Sequence, residues 1–158
     1  MVLSKALVVK LVVAIGVCLL AGVLGSVFTS SGVRTWYPTL NKPPFTPPGW
    51  LFGPVWTVLY ILMGVAAALV WHKSLGVNTA LAVFVVQLVL NVLWSLFFFG
   101  LRLPAVALVD IVLLWGAILA TLVLFWRMQP AAGLLLVPYL LWVSFATVLN
   151  AAIVWLNR

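Results

Sequence analysis

The chain of 158 residues is 67% hydrophobic and only 6% charged, with eight Lys and Arg residues against one acidic residue. A soluble domain of this size needs far more charged surface, so the composition excludes a soluble protein and indicates an integral membrane protein. The formal net charge of +7 does not indicate nucleic-acid binding, because the cations are scattered singly among apolar runs and form no basic stripe.

Five apolar segments are long enough to cross a hydrocarbon core of roughly 30 Å, which takes about 20 helical residues. In the first segment small residues recur at every fourth position from Ala14 to Ser26, a pattern typical of close helix packing. Because the later connections are very short, we predict an all-α integral membrane protein in which one domain, residues 1–158, forms a compact bundle of five transmembrane helices. The predicted spans lie near residues 5–28, 50–71, 78–99, 104–126 and 132–155.

The segment between the first two spans, residues 29–49, predicts a long loop of unusual composition. It contains most of the stretch "WYPTLNKPPFTPPGW" (36–50), which holds five prolines. Proline fixes φ and favours an extended conformation in the residue before it, so Pro43 to Pro48 predict a stiff lid, with Trp36 and Tyr37 placed to cover a ligand. By the same chemistry Pro138 removes a backbone hydrogen bond and predicts a kink in the fifth helix.

The cations do not fix the orientation in the membrane. Four lie on each predicted side, so the positive-inside rule gives no preference. We call the side that carries the loop 29–49 and the C-terminus the loop face.

Polar and indole groups within the spans fall at one depth. Trp56, Asn91, Asp110 and Asn150 all lie roughly 7 to 12 Å below the loop face, at about 1.5 Å per residue. Such groups need a partner or a water-lined cavity in hydrocarbon, so the layer predicts a pocket with an aromatic wall that opens toward the loop face. The alternative is that the amides only hydrogen-bond between helices, which stabilises a bundle by roughly 1 kcal/mol or less per contact.

Three stretches together resemble one known family. The loop stretch 36–50 continues into "GPVWTVLY" (53–60), and "QLVLNVLWSLFFFG" (87–100) and "VPYLLWVSFATVLN" (137–150) follow in later spans. This pattern, with five spans and a long first loop, is similar to the translocator protein family, also called the tryptophan-rich sensory protein or peripheral benzodiazepine receptor family. The resemblance covers essentially the whole chain.

The resemblance implies a membrane receptor, sensor or carrier for flat hydrophobic ligands: porphyrins such as protoporphyrin IX, sterols, and drugs of the isoquinoline carboxamide or benzodiazepine type. It also implies a homodimer. "ATVLNAAIVWLNR" (146–158) lacks the tyrosine of the family's sterol-type pattern, which disfavours sterols and favours a bacterial-type member in a bacterial cell membrane. Transferred by motif position, the ligand-binding residues are Tyr37, Pro47, Trp56, Tyr60, Asn91, Trp142, Ala146 and Asn150.

Two further function classes stay open beside a binding protein. An enzyme that degrades porphyrin under light is implied by the resemblance, with the pocket indoles of Trp56 and Trp142 as its candidate catalytic groups. A transporter of tetrapyrroles or sterols would need a route between the two faces. The single Cys18 and single His72 provide neither a metal site nor a hydrolytic set, so we expect no metal and no cofactor, and the sequence favours binding over catalysis.

Overall fold

The computed structural model describes residues 4–158, and every regular element in that range is helical. The predicted all-α fold and its five membrane-spanning segments are confirmed, since five helical stretches are long and apolar enough to cross a bilayer. The α-helices are α1 (Lys5–Thr35), α2 (Phe52–Lys73), α3 (Thr79–Ser95), α4 (Pro104–Met128), α5 (Pro130–Leu135) and α6 (Val137–Leu156). α5 and α6 together form the fifth membrane-spanning segment, Pro130–Leu156.

The first helix runs well past its predicted end at residue 28. It begins after Ser4, whose side chain accepts a hydrogen bond from the backbone N–H of Leu7, and it ends only at Thr35. The hydroxyls of Thr29 and Thr35 donate to backbone carbonyls one turn earlier, at 2.9 and 2.8 Å. Hydroxyl side chains that hydrogen-bond to the preceding turn of their own helix do not end that helix. The loop therefore spans residues 36–51 and is shorter than predicted.

Two spans depart from regular α-helix. α3 continues into a π-helical turn over Leu96–Gly100, closed by the Leu101 N–H, which donates to the Leu96 carbonyl at 2.7 Å. The fifth span is interrupted at Leu136, and Pro138 lies in the first turn of α6. The helix is therefore interrupted between α5 and α6, close to Pro138, for which the sequence predicts a kink.

α1 lies between α2 and α3 and packs closely on both through glycines. A Cβ on Gly64 of α2 would come within 2.5 Å of the Ile15 Cα on α1, and a Cβ on Gly32 of α1 would come within 2.8 Å of the Phe99 carbonyl oxygen. Backbones at this separation leave no room for any side chain. α4 packs between α3 and α6 and completes the bundle.

Candidate ligand-binding site

A cavity of about 450 Å³ lies between α1, α2 and the C-terminal end of α3, in the half of the bundle near the loop face. Its aromatic lining comes from α2 and α3: Phe52, Trp56, Tyr60, Trp94 and Phe99. α1 contributes small and hydroxyl-bearing residues, including Gly22, Gly25, Ser26 and Thr29. The small residues of α1 therefore leave space that the rings of α2 and α3 enclose.

Gly22 determines how close the Tyr60 ring comes to α1. A Cβ at Gly22 would lie 2.7 Å from the Tyr60 Cδ2 and Cε2 atoms, so any larger residue would push the ring away. The Trp56 ring lies next to it, with centroids 5.7 Å apart and planes inclined by 30°. Trp56 and Tyr60, both predicted from the sequence, thus form one continuous aromatic wall.

A buried chain of hydrogen bonds holds Tyr60 from behind. Its hydroxyl donates to Asn91 Oδ1 at 2.5 Å, Asn91 Nδ2 donates to the Tyr139 hydroxyl at 2.8 Å, and that hydroxyl donates to Gln87 Oε1 at 2.7 Å. The Gln87 amide then donates to the Met63 sulfur at 3.8 Å. Five residues on α2, α3 and α6 are joined in this way below the cavity.

The sulfur fixes the direction of the whole chain. A thioether can only accept a hydrogen bond, so Gln87 must turn its NH₂ group toward Met63 and its oxygen toward Tyr139. Tyr139 is then a donor to Gln87, and Asn91 must donate to Tyr139 and accept from Tyr60. The Tyr60 proton is therefore committed to Asn91 and is not free for a ligand.

Asn150 holds Trp94, which forms the α3 side of the cavity. Its Oδ1 accepts from the Trp94 indole N–H at 3.0 Å, and its Nδ2 donates to the Pro104 carbonyl at 2.8 Å. Trp94 in turn stacks on Phe98, with ring centroids 5.3 Å apart. Asn91 and Asn150, predicted as ligand contacts, thus each hold an aromatic residue of the cavity.

Trp142 lies on a different surface. It lines a groove of about 600 Å³ between α2 and α6, together with Pro54, Val58 and Leu141. Its indole N–H is buried without a hydrogen-bond partner in the part of the chain that the structure describes, and its ring contacts Phe52 edge-on at 6.0 Å. Phe52 borders the cavity, so one ring separates Trp142 from it. Ala146 is buried in the core.

The predicted loop residues pack on the end of α3. The Tyr37 ring is buried against Phe98 and Phe99, with centroids 6.3 and 5.8 Å away, and Trp36 meets Phe98 at 5.7 Å. Burial raises the pKa of the Tyr37 hydroxyl. That hydroxyl has no hydrogen-bond partner within residues 4–158. Since Phe99 lines the cavity, Tyr37 supports its wall from the loop side, while Pro47 is half-buried within the loop.

The loop is held by polar contacts that the sequence analysis did not find. Lys42 Nζ donates to the carbonyls of Tyr37 and Leu40 at 2.9 and 3.0 Å and so fixes the loop's own turn. The Asn41 N–H donates to Asn157 Oδ1 at 2.9 Å, and Asn157 Nδ2 donates to the Asn41 carbonyl at 2.9 Å. The loop is therefore tied to the C-terminal end of α6.

Several cavity residues were not predicted as ligand contacts. Ser95 and Phe99 line the cavity beside Trp94, within the stretch 87–100, where Asn91 was the one predicted ligand contact. Gly22 and Ser26 were interpreted as helix-packing residues, yet both line the cavity. The sequence does contain a pattern that could have indicated the cavity: small residues on the first span and aromatic residues on the second and third spans.

Comparison with known proteins gives one consistent match. The TspO/MBR family profile matches residues 14–156. The chain is 49% identical to a tryptophan-rich protein TspO of Chlorobaculum tepidum, over 95% of this chain and 97% of that protein. It is 46% identical to a tryptophan-rich protein TspO of Archaeoglobus fulgidus, over 95% and 98% of the two chains.

The match extends to an animal protein. The chain is 45% identical to the translocator protein of Homo sapiens, over 80% of this chain and 78% of that one. The predicted multi-pass integral membrane protein is confirmed, and the bacterial relative agrees with the predicted bacterial membrane. The chain therefore belongs to the TspO/MBR family of membrane proteins, which supports a sensor or translocator role.

Proposed function

We propose that this protein is a membrane receptor or carrier that binds flat hydrophobic ligands in the cavity between α1, α2 and α3. The ligands we propose are porphyrins such as protoporphyrin IX and drugs of the isoquinoline carboxamide or benzodiazepine type. One observation carries the proposal: a cavity of about 450 Å³ lined by five aromatic side chains. Small-molecule sites typically occupy about 300–1,000 Å³ and combine apolar walls with a few polar groups.

The fixed positions of the wall residues support binding. Tyr60 and Trp94 are each held by a buried asparagine, at 2.5 and 3.0 Å. Rings held by hydrogen bonds in the free protein lose little conformational entropy when a ligand arrives, which favours affinity. A flat ligand that stacks on them would meet a preformed surface.

The rim of the cavity suits a ligand that is dissolved in the membrane. Val23 and Ser26 of α1 and Gly53 and Thr57 of α2 line the cavity and are also exposed at the bundle surface. The cavity thus reaches the outside between α1 and α2, where lipid surrounds the protein. A hydrophobic molecule would reach it without crossing water.

The predicted homodimer remains part of this proposal, with one restriction. Cys18 and Gly25 of α1 are buried within their own chain, and Gly22 packs against Tyr60. These small residues are therefore occupied by α2 and α3. A partner subunit would have to meet a different face of the bundle.

Light-dependent porphyrin degradation is the second candidate function, and the surroundings of Trp56 favour it. The Trp56 ring lies in the cavity wall, 5.7 Å from the Tyr60 ring and 6.2 Å from the Tyr139 ring. Indole and phenol rings are the side chains that most readily lose an electron to an excited, flat ligand. Conversion in wild-type protein that is lost in Trp56→Phe, relative to protein-free nanodiscs under the same light, would support this function.

Tryptophan fluorescence tests the proposed binding function. Protoporphyrin IX should quench the emission of protein in lipid nanodiscs saturably, whereas empty nanodiscs should show only linear partitioning. Trp56→Phe should reduce the quenched fraction more than Trp142→Phe, because Trp56 lines the cavity and Trp142 does not. Trp155→Phe, at an exposed position, serves as the control. If quenching of the wild-type protein rose only linearly with protoporphyrin IX, the binding proposal would be contradicted. If Trp142→Phe reduced the quenched fraction more than Trp56→Phe, the ligand would be assigned to the groove between α2 and α6.

A further inference from the structure

The hydroxyl groups around the cavity differ in whether their protons are free. The Ser26 hydroxyl donates to the Val23 carbonyl at 2.7 Å, and the Thr57 hydroxyl donates to the Gly53 carbonyl at 2.9 Å. The Thr29 hydroxyl is committed in the same way, to the Gly25 carbonyl. These three groups can offer a ligand only their lone pairs.

The polar groups of the aromatic wall are committed as well. The Tyr60 hydroxyl donates to Asn91, and the Trp94 indole N–H donates to Asn150. Both bonds are buried, so a ligand could not displace them without leaving an amide oxygen unsatisfied. Neither wall residue is therefore a donor for a ligand.

Ser95 is different. The residue lines the cavity and is only 9% exposed, and its hydroxyl makes no hydrogen bond to any other described residue. Unlike the fully buried, unbonded polar atoms of Tyr37 and Trp142, the Ser95 oxygen keeps some accessible surface, so its hydroxyl can meet an acceptor on a ligand. Ser95 is the last residue of α3 before the π-helical turn, which places it at the same level as Trp94 in the cavity wall.

Gly25 allows the Ser95 hydroxyl to pack directly against the α1 backbone. A Cβ at Gly25 would lie 3.2 Å from the Ser95 Oγ and 3.7 Å from its Cβ, so a side chain there would cover the hydroxyl. Gly25 has none, and its own carbonyl already accepts the Thr29 proton. The Ser95 hydroxyl thus lies on the cavity lining, next to a residue that supplies it with no acceptor.

We infer that Ser95 is a specificity-determining residue, and that its hydroxyl donates a hydrogen bond to an acceptor on the edge of a flat apolar ligand. A ring carbonyl is the simplest such acceptor. This inference rests on the proposed ligand-binding function. The cavity then prefers a flat ring system that carries a carbonyl over one of the same shape without it.

Fluorenone and fluorene form a suitable probe pair, because they have the same fused-ring shape and only fluorenone has a carbonyl. Their binding is measured by tryptophan quenching in nanodiscs and corrected for partitioning into empty nanodiscs. Wild-type protein should bind fluorenone roughly three- to tenfold more tightly than fluorene, the factor that corresponds to one net hydrogen bond. Ser95→Ala should abolish that ratio without weakening fluorene binding.

Ser26→Ala is the matched control, since it removes a cavity hydroxyl whose proton is already committed to Val23. It should leave the ratio unchanged. Saturable binding with the same ratio in wild-type protein and in Ser95→Ala would overturn the inference and leave the proposed function intact. Saturable binding of protoporphyrin IX without binding of either probe would also overturn the inference alone. If protoporphyrin IX and both probes only partitioned linearly, the proposed function would be overturned too.

Discussion

Asn41 and Asn157, 116 positions apart in the sequence, bind each other through two reciprocal hydrogen bonds. The side chain of Asn157 accepts from the backbone N–H of Asn41 and donates to its carbonyl, both at 2.9 Å. A single amide thus satisfies both backbone groups of one loop residue. The loop that covers the loop face is in this way attached to the end of the last helix.

Asn157→Ala should loosen the loop without unfolding the bundle. Both partners are exposed, so water can replace the two bonds, and the loss of overall stability should be about 1 kcal/mol or less. Amide hydrogen exchange should accelerate over residues 36–51 and stay unchanged in α2 and α3. Arg158→Ala is the control, because the Arg158 guanidinium packs on Trp155 of α6 and not on the loop. Equal exchange in the loop of wild-type protein and of Asn157→Ala would contradict this role.

Alkaline pH should open the loop through Tyr37. Burial raises the pKa of Tyr37 above its ordinary value of 10.0. The neutral phenol therefore stabilises the closed loop fully below pH 10.0, and this stabilisation is lost as the pH rises from there through the raised pKa. Loop exchange, corrected for the intrinsic effect of pH, should increase in that range.

Tyr37→Phe provides the comparison for this pH effect. It keeps the ring that packs on Phe98 and Phe99 and removes the group that titrates. The variant retains every lysine, so the difference between the two proteins isolates the tyrosine. If loop exchange increased equally at alkaline pH in wild-type protein and in Tyr37→Phe, the pH effect would belong to a group other than Tyr37.

Tyr139→Phe should destabilise the bundle more than Tyr60→Phe. Removing the Tyr139 hydroxyl leaves both Asn91 Nδ2 and Gln87 Oε1 without a partner, whereas removing the Tyr60 hydroxyl leaves only Asn91 Oδ1. Each buried group left unsatisfied costs about 1–3 kcal/mol, reduced where the unfolded chain in the membrane finds partners. Unfolding in mixed micelles should rank the two variants, and equal losses would argue against a continuous chain of hydrogen bonds.

Gly64→Ala should force α1 away from α2. Its Cβ would lie 2.5 Å from the Ile15 Cα and 2.8 Å from the Ile15 nitrogen, and backbone atoms cannot give way as a flexible side chain can. Overpacking of this kind costs about 1–3 kcal/mol. Gly16→Ala is the control, since a Cβ there meets nothing within 4 Å. Thermal unfolding should separate the two variants, and a neutral Gly64→Ala would show that the helices do not cross this closely.

The five spans were predictable because apolar length alone specifies a transmembrane helix. The end of α1 was not, because Thr29 and Thr35 resemble loop residues until their hydroxyls are seen to bond to the preceding turn. The depth of Asn91 and Asn150 was also available from the sequence. Their partners were not, since Tyr60 and Trp94 lie on helices whose rotation no spacing determines.

The ligand-binding residues predicted on the fifth span, Trp142, Ala146 and Asn150, show the same limit. Successive residues of an α-helix are about 100° apart, so Ala146 and Asn150 lie within about 20° of Tyr139, whereas Trp142 is turned by about 60°. Tyr139, Ala146 and Asn150 are buried, whereas Trp142 faces the groove toward α2. A ring at the edge of a helix face can belong to either neighbouring surface, and only packing decides which.

The position of α1 between α2 and α3 has a consequence for biogenesis. A membrane protein is synthesised from its N-terminus, and helices that are already inserted associate afterwards. α1 and α2 can pair as soon as both have entered the bilayer, but Trp94, Ser95 and Phe99 close the cavity from α3. Until α3 is inserted, Gly25 and Gly32 face lipid in place of Ser95 and Phe99. A nascent chain therefore has no complete ligand site before its third span is in the membrane.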